Sequence, residues 1–266
     1  TEAFAVYETA AKLPGIVVEG VSCHIGSQLL SIHPLLEAAE KLLALVDRLR
    51  ERKLPIRYFD LGGGLGVPYR STERGVAIST FVQRLRAKIE NLDITLLLEP
   101  GRSIVAEAGV LLSRVLLLKR NGAKTFIVLD AAMNDLIRPA LYQAHHEIVP
   151  VNQLRTSEHI TADVVGPVCE TGDFFARERE LPALAPGDLV AIRTTGAYGF
   201  VLASNYNSRP RPCELLVQGA HVHLARKRET YKDLVRGERG MPAESGEVLH
   251  TGQERDRFAD LCPGSS

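Results

Sequence analysis

The sequence is short of the features that mark nucleic-acid-binding, membrane and secreted proteins. Its formal net charge is zero, with 32 basic and 32 acidic residues, so it has no basic excess that would attract nucleic acid or an anionic membrane surface. No apolar run approaches the roughly 18 residues that a membrane span requires. Residues 1–13 form an amphipathic helical pattern and not a signal peptide. We therefore expect neither a nucleic-acid partner nor a membrane partner.

Cysteine is scarce and scattered. The four cysteines are Cys23, Cys169, Cys213 and Cys262, and no two of them form a CxxC pair. This spacing argues against a zinc site and is typical of proteins in a reducing compartment. The sequence therefore predicts a cytoplasmic protein without a bound metal.

The first hundred residues alternate between helical and strand patterns. Apolar residues at helical spacing predict three helices, over residues 1–13, 33–53 and 78–92. Continuous apolar runs predict three strands, over residues 16–24, 56–61 and 94–100. Strands that are separated by helices imply a parallel sheet with right-handed crossovers.

From about residue 109 the pattern changes to closely spaced strands. Residues 109–133 resemble two strands joined at Asn121-Gly122, a dipeptide that favours a hairpin. Residues 134–146 resemble a short helix or a loop. Further strand-like runs cover residues 146–152, 159–168, 188–201, 213–220 and 221–228. Because helices are scarce here, we predict a mostly antiparallel β domain over 103–236. Residues 237–266 are polar and predict a flexible tail.

Each of the three predicted parallel strands ends in residues that are unusual for a buried strand. His24 is followed by Gly-Ser-Gln within four residues, the second strand ends in Gly62–Gly64, and the third ends in Glu99-Pro-Gly-Arg102. One such end alone is more often an ordinary strand end with a satisfied histidine. In a parallel barrel, however, the carboxyl ends of all strands share the face that carries the site. The recurrence therefore predicts a functional site.

These strand ends carry groups that bind anions and heterocycles. Gly62–Gly64 can offer backbone N–H groups to an oxyanion, although a glycine turn for tight packing explains them equally well. The Glu99 carboxylate could bind a ring nitrogen and keep it protonated. Arg102 could clamp a phosphate or a carboxylate with two hydrogen bonds. The alternative for Glu99 and Arg102 is an ordinary surface ion pair.

The second half of the sequence offers further candidates. Cys169 and Glu170 lie in a Gly/Pro-rich loop, where a thiol can act as a proton donor or can simply be a small buried residue. Arg138 and Tyr142 are four residues apart and share a helical face. Tyr198 is flanked by small residues, which suits a phenol that reaches a ligand. Each of these side chains could instead belong to the core or to the solvated surface.

Seven motifs occur in a recognisable order: HIGSQ, FDLGGGLGVPY, LEPGR, DAAMNDLIRPALY, VVGPVCETGD, TTGAYGF and NYNSRPRP. Together, over about residues 1–236, they resemble the diaminopimelate decarboxylase family. The resemblance implies a lyase that uses pyridoxal 5'-phosphate and acts as a homodimer. Its reaction converts meso-2,6-diaminopimelate into L-lysine and CO2, the last step of lysine biosynthesis. The implied fold is α/β, with residues 1–102 forming the last three βα units of a (β/α)8 TIM barrel before the β domain.

The resemblance also implies roles for the candidate residues. The cofactor-binding set is His24, Ser27, Gly62, Gly63, Gly64, Glu99, Gly101, Arg102 and Tyr198. In this set His24 packs against the cofactor ring, Ser27 and the three glycines hold its phosphate, and Glu99 pairs with the pyridine nitrogen. The substrate-binding set is Arg102, Arg138, Tyr142, Glu170 and Tyr198. Cys169 is the implied catalytic proton donor, and Cys169 and Glu170 reach across the dimer interface into the site of the partner subunit.

One feature of the family is missing. The family attaches its cofactor through a lysine at the end of the first barrel strand, in a context such as Val-Lys-Ala-Asn, and no lysine here has that context. The sequence also begins with Thr1. We therefore expect the chain to be the C-terminal part of a longer enzyme, without the lysine and five barrel strands. Made alone, it should be inactive and poorly soluble, whereas the intact gene product should be active.

Two other interpretations remain open at this stage. An ornithine or arginine decarboxylase of the same fold would share most motifs, although Arg138 suits a distal carboxylate that ornithine lacks. A non-catalytic homologue or orphan fragment that acts by binding would explain the missing lysine. An upstream fusion to another enzyme is also compatible with the sequence.

Overall fold

The computed structural model describes residues 2–152 and 158–240. The helices are α1 Glu2–Ala10, α2 His33–Glu51, α3 Ile78–Ile89, α4 Arg102–Val105, α5 Arg138–Tyr142 and α6 Tyr231–Leu234. The strands are β1 Gly20–Ser22, β2 Tyr58–Asp60, β3 Thr95–Leu97, β4 Leu111–Asn121, β5 Lys124–Leu129, β6 Ile148–Pro150, β7 His159–Val165, β8 Phe174–Pro182, β9 Leu189–Ile192, β10 Glu214–Gln218 and β11 His221–Arg226. These strands form three sheets.

The first sheet is parallel, in the order β1-β2-β3, with Val21 beside Phe59 and Phe59 beside Leu96. Val21 and Phe59 are buried, and they pack with the apolar stripe of α2. That stripe is Leu35, Leu36, Ala39, Leu42, Val46 and Leu49, at the spacing of one helical face. The parallel βα arrangement predicted for the first hundred residues is confirmed.

The paired parts of these strands are shorter than the apolar runs predict. Each has three residues, although backbone hydrogen bonds continue beyond them, from Cys23 to Asp60, from Leu61 to Leu97 and from Glu99 to Gly62. At the opposite end, the Arg50 guanidinium donates to the carbonyl groups of Ile56 and Asp93, at 2.8 and 2.7 Å. The C-terminal turn of α2 is therefore fixed to the segments that enter β2 and β3.

The second sheet has six strands in the order β6-β9-β4-β5-β7-β8. All neighbours are antiparallel except β5 and β7, which are parallel. The predicted hairpin joins β4 to β5, but its two turn residues are Gly122 and Ala123, because Asn121 still pairs with Lys124. Gly122 has the positive φ of 57° that such a turn favours. A buried cluster that includes Ile127, Leu129 and Phe175 forms the core of this sheet.

The prediction differs from the structure at two strands in this region. Strand β8 is absent from the predicted set, because charged residues interrupt its alternation and Glu178 has a positive φ of 47°. The predicted strand over 188–201 is β9 alone. Beyond Ile192 the backbone takes positive φ at Thr194 and Tyr198 and leaves the ladder.

The third sheet is the hairpin β10–β11, which turns at Gly219 with a φ of 59°. One of its faces carries four exposed apolar side chains: Leu215, Val217, Val222 and Leu224. Most of the predicted tail over 237–266, with Cys262, lies outside the described residues. The division into domains at 102 and 236 stays a prediction.

None of the helices in the described ranges is long and apolar enough to cross a membrane. Within the same ranges, no group of three or more His, Cys, Asp or Glu side chains is arranged to hold a metal ion. Cys23, Cys169 and Cys213 are free thiols.

Candidate cofactor and substrate site

The carboxyl ends of β1, β2 and β3 lie side by side. The Gly63 N–H donates to His24 Nδ1 at 3.3 Å, and the Glu99 N–H donates to the Gly62 carbonyl at 2.9 Å. His24, Gly62–Gly64 and Glu99 therefore share one edge of the sheet, as parallel strands dictate. The structure brings together the three motifs that the sequence separates.

The glycines of this edge are required by its close packing. A Cβ on Gly63 would lie 2.4 Å from the Glu99 carbonyl oxygen, and one on Gly64 would lie 2.2 Å from the Gly26 carbonyl oxygen. Gly64 also has a φ of 100°, which side chains rarely tolerate. Packing alone thus explains the glycines, and their role in holding a phosphate stays a prediction.

Arg102, the first residue of α4, joins this edge to two aromatic side chains. Its guanidinium donates to the Tyr69 hydroxyl at 2.6 Å and to Ser27 Oγ at 3.1 Å. Its Cζ lies 5.1 Å from the centroid of the Tyr198 ring. The Nε of Arg102 is buried but has no acceptor among the described residues. A buried donor without an acceptor costs about 1–3 kcal/mol, so an anionic ligand fits this position.

Tyr198 contacts the end of the third strand, although the two are far apart in the sequence. It has a φ of 64°, and a Cβ on Gly101 would lie 3.2 Å from the Tyr198 hydroxyl oxygen. Non-glycine residues in this region of φ are uncommon and cluster at functional sites. The phenol hydroxyl therefore lies against Gly101, next to Arg102.

Tyr69 is a site residue that the sequence analysis missed. Its ring is almost fully buried, with the Arg102 Cζ 5.7 Å and the Arg138 Cζ 4.8 Å from its centroid. Both distances are typical of cation–π contacts. In the sequence, the position of Tyr69 at the end of FDLGGGLGVPY, just past the glycine turn, could have indicated a site residue. An aromatic residue at that position is equally typical of a hydrophobic core.

Arg138 is 5% exposed although it carries a charge. It begins α5, and its Nη1 atom lies 2.9 Å from Nε2 of His146. Burial lowers the pKa of Arg138 from its ordinary value. Tyr142, one turn further along α5, is exposed. The prediction that Arg138 and Tyr142 share a helix is confirmed, but their environments differ sharply.

Glu170 lies in an exposed loop with two hydrogen-bond donors. The Gly172 N–H donates to it at 3.2 Å, and the Tyr206 hydroxyl donates to it at 3.0 Å. These hydrogen bonds lower the pKa of Glu170, and the same carboxylate raises the pKa of Tyr206. Glu170 is therefore kept ionised, in a fixed orientation.

The loop that carries Cys169 and Glu170 is held by Asp173. This carboxylate accepts the N–H groups of Val168 and Met133, both at 2.7 Å. Burial raises the pKa of Asp173, although these hydrogen bonds partly oppose the change. Cys169 itself is exposed.

Arg209 joins two further motifs and was also missed. Its Nε donates to the side-chain oxygen of Asn134 at 2.9 Å, and its Nη2 donates to the Asp130 carbonyl at 2.6 Å. The Ser204 N–H donates to the Asn134 carbonyl at 2.9 Å. The NYNSRPRP and DAAMNDLIRPALY segments are therefore packed against each other.

Within the described part of one chain, no hydrogen bond or ion pair joins Cys169 or Glu170 to the strand-end residues. The chain therefore has two clusters of candidates. One is the strand-end cluster of His24, Ser27, Gly62–Gly64, Glu99, Gly101, Arg102 and Tyr198, which Tyr69 connects to Arg138. The other is the loop cluster of Cys169, Glu170 and Tyr206.

The strand-end cluster suits a ligand that has an aromatic ring and an anionic group. Arg102 supplies a guanidinium at this edge, whose Nε has no acceptor within residues 2–152 and 158–240, and Ser27 supplies a hydroxyl. His24 and the Glu99 backbone flank the glycine turn. An imidazole, a hydroxyl and a guanidinium lie at one sheet edge with Glu99, and these are groups that can bind a phosphorylated pyridine ring.

Comparison with known proteins agrees with this chemistry. Residues 4–196 match a family model described as pyridoxal-dependent decarboxylase, C-terminal sheet domain. Diaminopimelate decarboxylase of Pseudomonas aeruginosa is 53% identical over 241 residues, which cover 91% of this chain and 57% of that protein. The chain thus spans little more than half the length of this relative.

Solved structures show the same relationship. A Helicobacter pylori diaminopimelate decarboxylase complexed with L-lysine superimposes with a TM-score of 0.80 at 42% identity, covering 88% of this chain and 58% of that one. A lysine/ornithine decarboxylase of Vibrio vulnificus complexed with cadaverine gives a TM-score of 0.69 at 29% identity, covering 77% and 55%. The chain therefore belongs to the family of pyridoxal-dependent decarboxylases.

Proposed function

We propose that the intact gene product decarboxylates meso-2,6-diaminopimelate to L-lysine and CO2 in the cytoplasm, with pyridoxal 5'-phosphate as cofactor. The observation that carries the proposal is the 53% identity to a diaminopimelate decarboxylase along 91% of this chain. Because the chain spans 57% of that relative, we assign the reaction to the intact gene product and not to the 266-residue chain alone.

The strand-end cluster would hold the cofactor. When bound, pyridoxal phosphate supplies an electron sink for the electron pair that remains after CO2 leaves. Glu99 would accept a hydrogen bond from the pyridine nitrogen and keep it protonated, and His24 would pack against the ring. Ser27, Arg102 and the Gly62–Gly64 turn would donate hydrogen bonds to the phosphate, with Gly101 and Tyr198 beside it.

The choice of substrate rests on Arg138 and Glu170. The distal end of diaminopimelate carries a carboxylate and an amine, which suit a guanidinium and an ionised glutamate respectively. Tyr142 and Tyr198 would line the space between them. Ornithine has no distal carboxylate and would leave the buried Arg138 guanidinium without an anion. This difference favours diaminopimelate over ornithine or arginine.

Cys169 and Glu170 would act across a homodimer interface. Both are exposed, and within one chain they are separate from the strand-end cluster. In the proposed dimer, Cys169 Sγ returns a proton to the carbon that has lost CO2 in the site of the partner subunit. Glu170 binds the distal amine in that same site.

The test is to measure CO2 release by the intact gene product from meso-diaminopimelate, L-ornithine and L-arginine in parallel. We expect turnover of diaminopimelate that exceeds that of the other two by about a hundredfold or more, since a site built for a charged group strongly rejects an analogue that lacks it. Comparable turnover of ornithine or arginine would contradict the proposed substrate.

A second measurement addresses the non-catalytic alternative. Borohydride reduction converts a lysine–pyridoxal imine into a stable adduct that intact-mass spectrometry detects. We expect one pyridoxyl phosphate per polypeptide. An unmodified polypeptide that also releases no CO2 would favour a homologue that acts by binding.

A further inference from the structure

A fully buried histidine lies behind Arg138 and has no part in the proposed function. His146 follows α5 and has 0% of its surface exposed. Three groups surround its ring: the Arg138 guanidinium, the Arg193 carbonyl and the Tyr69 ring.

The two ring nitrogens of His146 face groups of opposite type. Nδ1 lies 2.8 Å from the carbonyl oxygen of Arg193, which can only accept a hydrogen bond. Nε2 lies 2.9 Å from Nη1 of Arg138, which can only donate one. The proton must therefore be on Nδ1, and the ring must be neutral. Burial lowers the pKa of His146 to about 4, which agrees with a neutral ring at physiological pH.

Tyr69 fixes the same ring from a third direction. The Tyr69 and His146 rings meet edge to face, with centroids 5.3 Å apart and planes at 83°. This is a preferred geometry for aromatic pairs. With one contact on each nitrogen and one on the ring, His146 has little freedom to rotate.

A neutral acceptor has a particular effect on Arg138. Arg138 is almost fully buried, and no acidic side chain forms an ion pair with it in the described ranges. A carboxylate in place of His146 would neutralise the guanidinium as well as hold it. A neutral imidazole satisfies one N–H group and leaves the positive charge available for an anionic ligand.

We propose that His146, as its Nδ1–H tautomer, is a positioning residue that fixes the Arg138 guanidinium for a substrate carboxylate while leaving its charge uncompensated. The role of Arg138 in this inference rests on the proposed function. The tautomer and the fixed ring follow from the contacts alone.

Two substitutions separate the two hydrogen bonds. His146→Asn keeps a donor toward Arg193 but loses the acceptor for Arg138, whereas His146→Gln can place an amide oxygen near the former Nε2. In the intact gene product we expect His146→Asn to raise KM for meso-diaminopimelate about tenfold with a smaller change in kcat. His146→Gln should lie much closer to the wild type.

A merely structural role gives a different result. It would lower the melting temperature of both variants and leave both KM values unchanged, and this outcome would overturn the inference. His145→Asn is the matched control, because His145 contacts Glu147 and Arg179. We expect the control to keep the KM of the wild type.

A spectroscopic readout separates this inference from the proposed function. If the wild type releases no CO2 from diaminopimelate, the proposed function fails. The ring 15N chemical shifts of His146 still report whether Nδ1 carries the proton and Nε2 is a bare acceptor at neutral pH. A proton on Nε2, alone or with one on Nδ1, would overturn the inference whatever the activity.

Discussion

The hydroxyl of Tyr69 accepts a hydrogen bond of 2.6 Å from Arg102, although α3 and β3 separate the two residues along the chain. The Arg138 Cζ lies 4.8 Å from the centroid of the same ring. A single phenol therefore contacts both the guanidinium nearest the strand ends and the one at the start of α5.

Tyr69→Phe should weaken cofactor binding more than substrate binding. The variant removes the hydroxyl that orients Arg102. Arg138 also lies near that hydroxyl, but it keeps the ring and its contact with His146. We expect the affinity of the apo form of the intact gene product for pyridoxal phosphate to fall about tenfold, with a smaller change in KM. Titration by absorbance measures the affinity. Tyr58→Phe, in the exposed part of β2, is the control, and equal affinities of all three proteins would contradict the expectation.

Tyr206→Phe should narrow the pH range of activity from its acid side. The Tyr206 hydroxyl helps to hold the pKa of Glu170 below its ordinary value of 4.5. Loss of that donor raises the pKa, so Glu170 becomes protonated at a higher pH than in the wild type. We expect the acid limb of the kcat/KM profile to move to higher pH. Tyr231→Phe, at an exposed tyrosine, should leave the profile unchanged, and an unmoved limb in Tyr206→Phe would show that Glu170 does not govern it.

Glu229 should contribute stability that disappears in acid. Its carboxylate accepts hydrogen bonds from the Arg211 guanidinium, the Arg211 N–H and the Asn205 amide, and its pKa falls to about 2. Because the folded-state pKa lies below the ordinary 4.5, this stabilisation is complete above pH 4.5 and is lost as the pH falls through about 2.

Thermal unfolding of the wild type and Glu229→Gln tests this pH dependence. We expect the variant to melt at a lower temperature at pH 7, and the difference to shrink steadily below pH 4.5. Glu214→Gln, which breaks the exposed pair with Arg226, should change the melting temperature little at any pH. A constant difference between wild type and Glu229→Gln down to pH 2 would show that the carboxylate charge is not responsible.

Gly64→Ala should destabilise the intact gene product strongly. The added methyl would meet the Gly26 carbonyl oxygen at 2.2 Å, at a φ of 100°, so we expect a loss of about 2 kcal/mol or more. Gly187→Ala isolates the contribution of the backbone angle, since Gly187 has a φ of 92° but open space around it. Its cost should be about 1 kcal/mol. Urea denaturation measures both, and equal costs would mean that the contact with Gly26 relaxes.

The 266-residue chain made alone should be poorly soluble and inactive. An apolar groove between α3 and the end of β3 is lined by Ile78, Phe81, Val82, Leu98 and Ile104, and Ile104 is 64% exposed. In the described sheet β1 and β3 are edge strands, which invite association. Ultracentrifugation should show aggregates. A soluble preparation of this chain with the full activity of the intact gene product would contradict the prediction.

The sequence predicted the elements whose formation depends on residues close together in the chain. The helix α2 follows from its apolar spacing, and the β4–β5 hairpin follows from Asn121-Gly122. Strand β8 could not be predicted in this way, because the positive φ of Glu178 breaks its alternation. The strand-end motifs indicated the position of the candidate site, since parallel strands end on one face.

The residues that connect the site could not be found from the sequence. Tyr69 and His146 each resemble an ordinary core residue along the chain, and their significance comes from contacts with Arg102 and Arg138. Arg209 looks like one basic residue among many until it is seen between Asn134 and the Asp130 carbonyl. These contacts depend on how segments that are distant in the sequence pack together, and a pattern within one short segment cannot predict that packing.

The Tyr69 ring also has a consequence for the length of the substrate. Arg102 and Arg138 contact the same buried ring. Under the proposed function Arg102 holds the cofactor phosphate and Arg138 holds the distal carboxylate of the substrate, so Tyr69 ties the position of one to the position of the other. A diamino diacid with one methylene fewer or one more would then place its distal carboxylate away from Arg138 while its other end is at the cofactor, so the site would select chain length as well as charge.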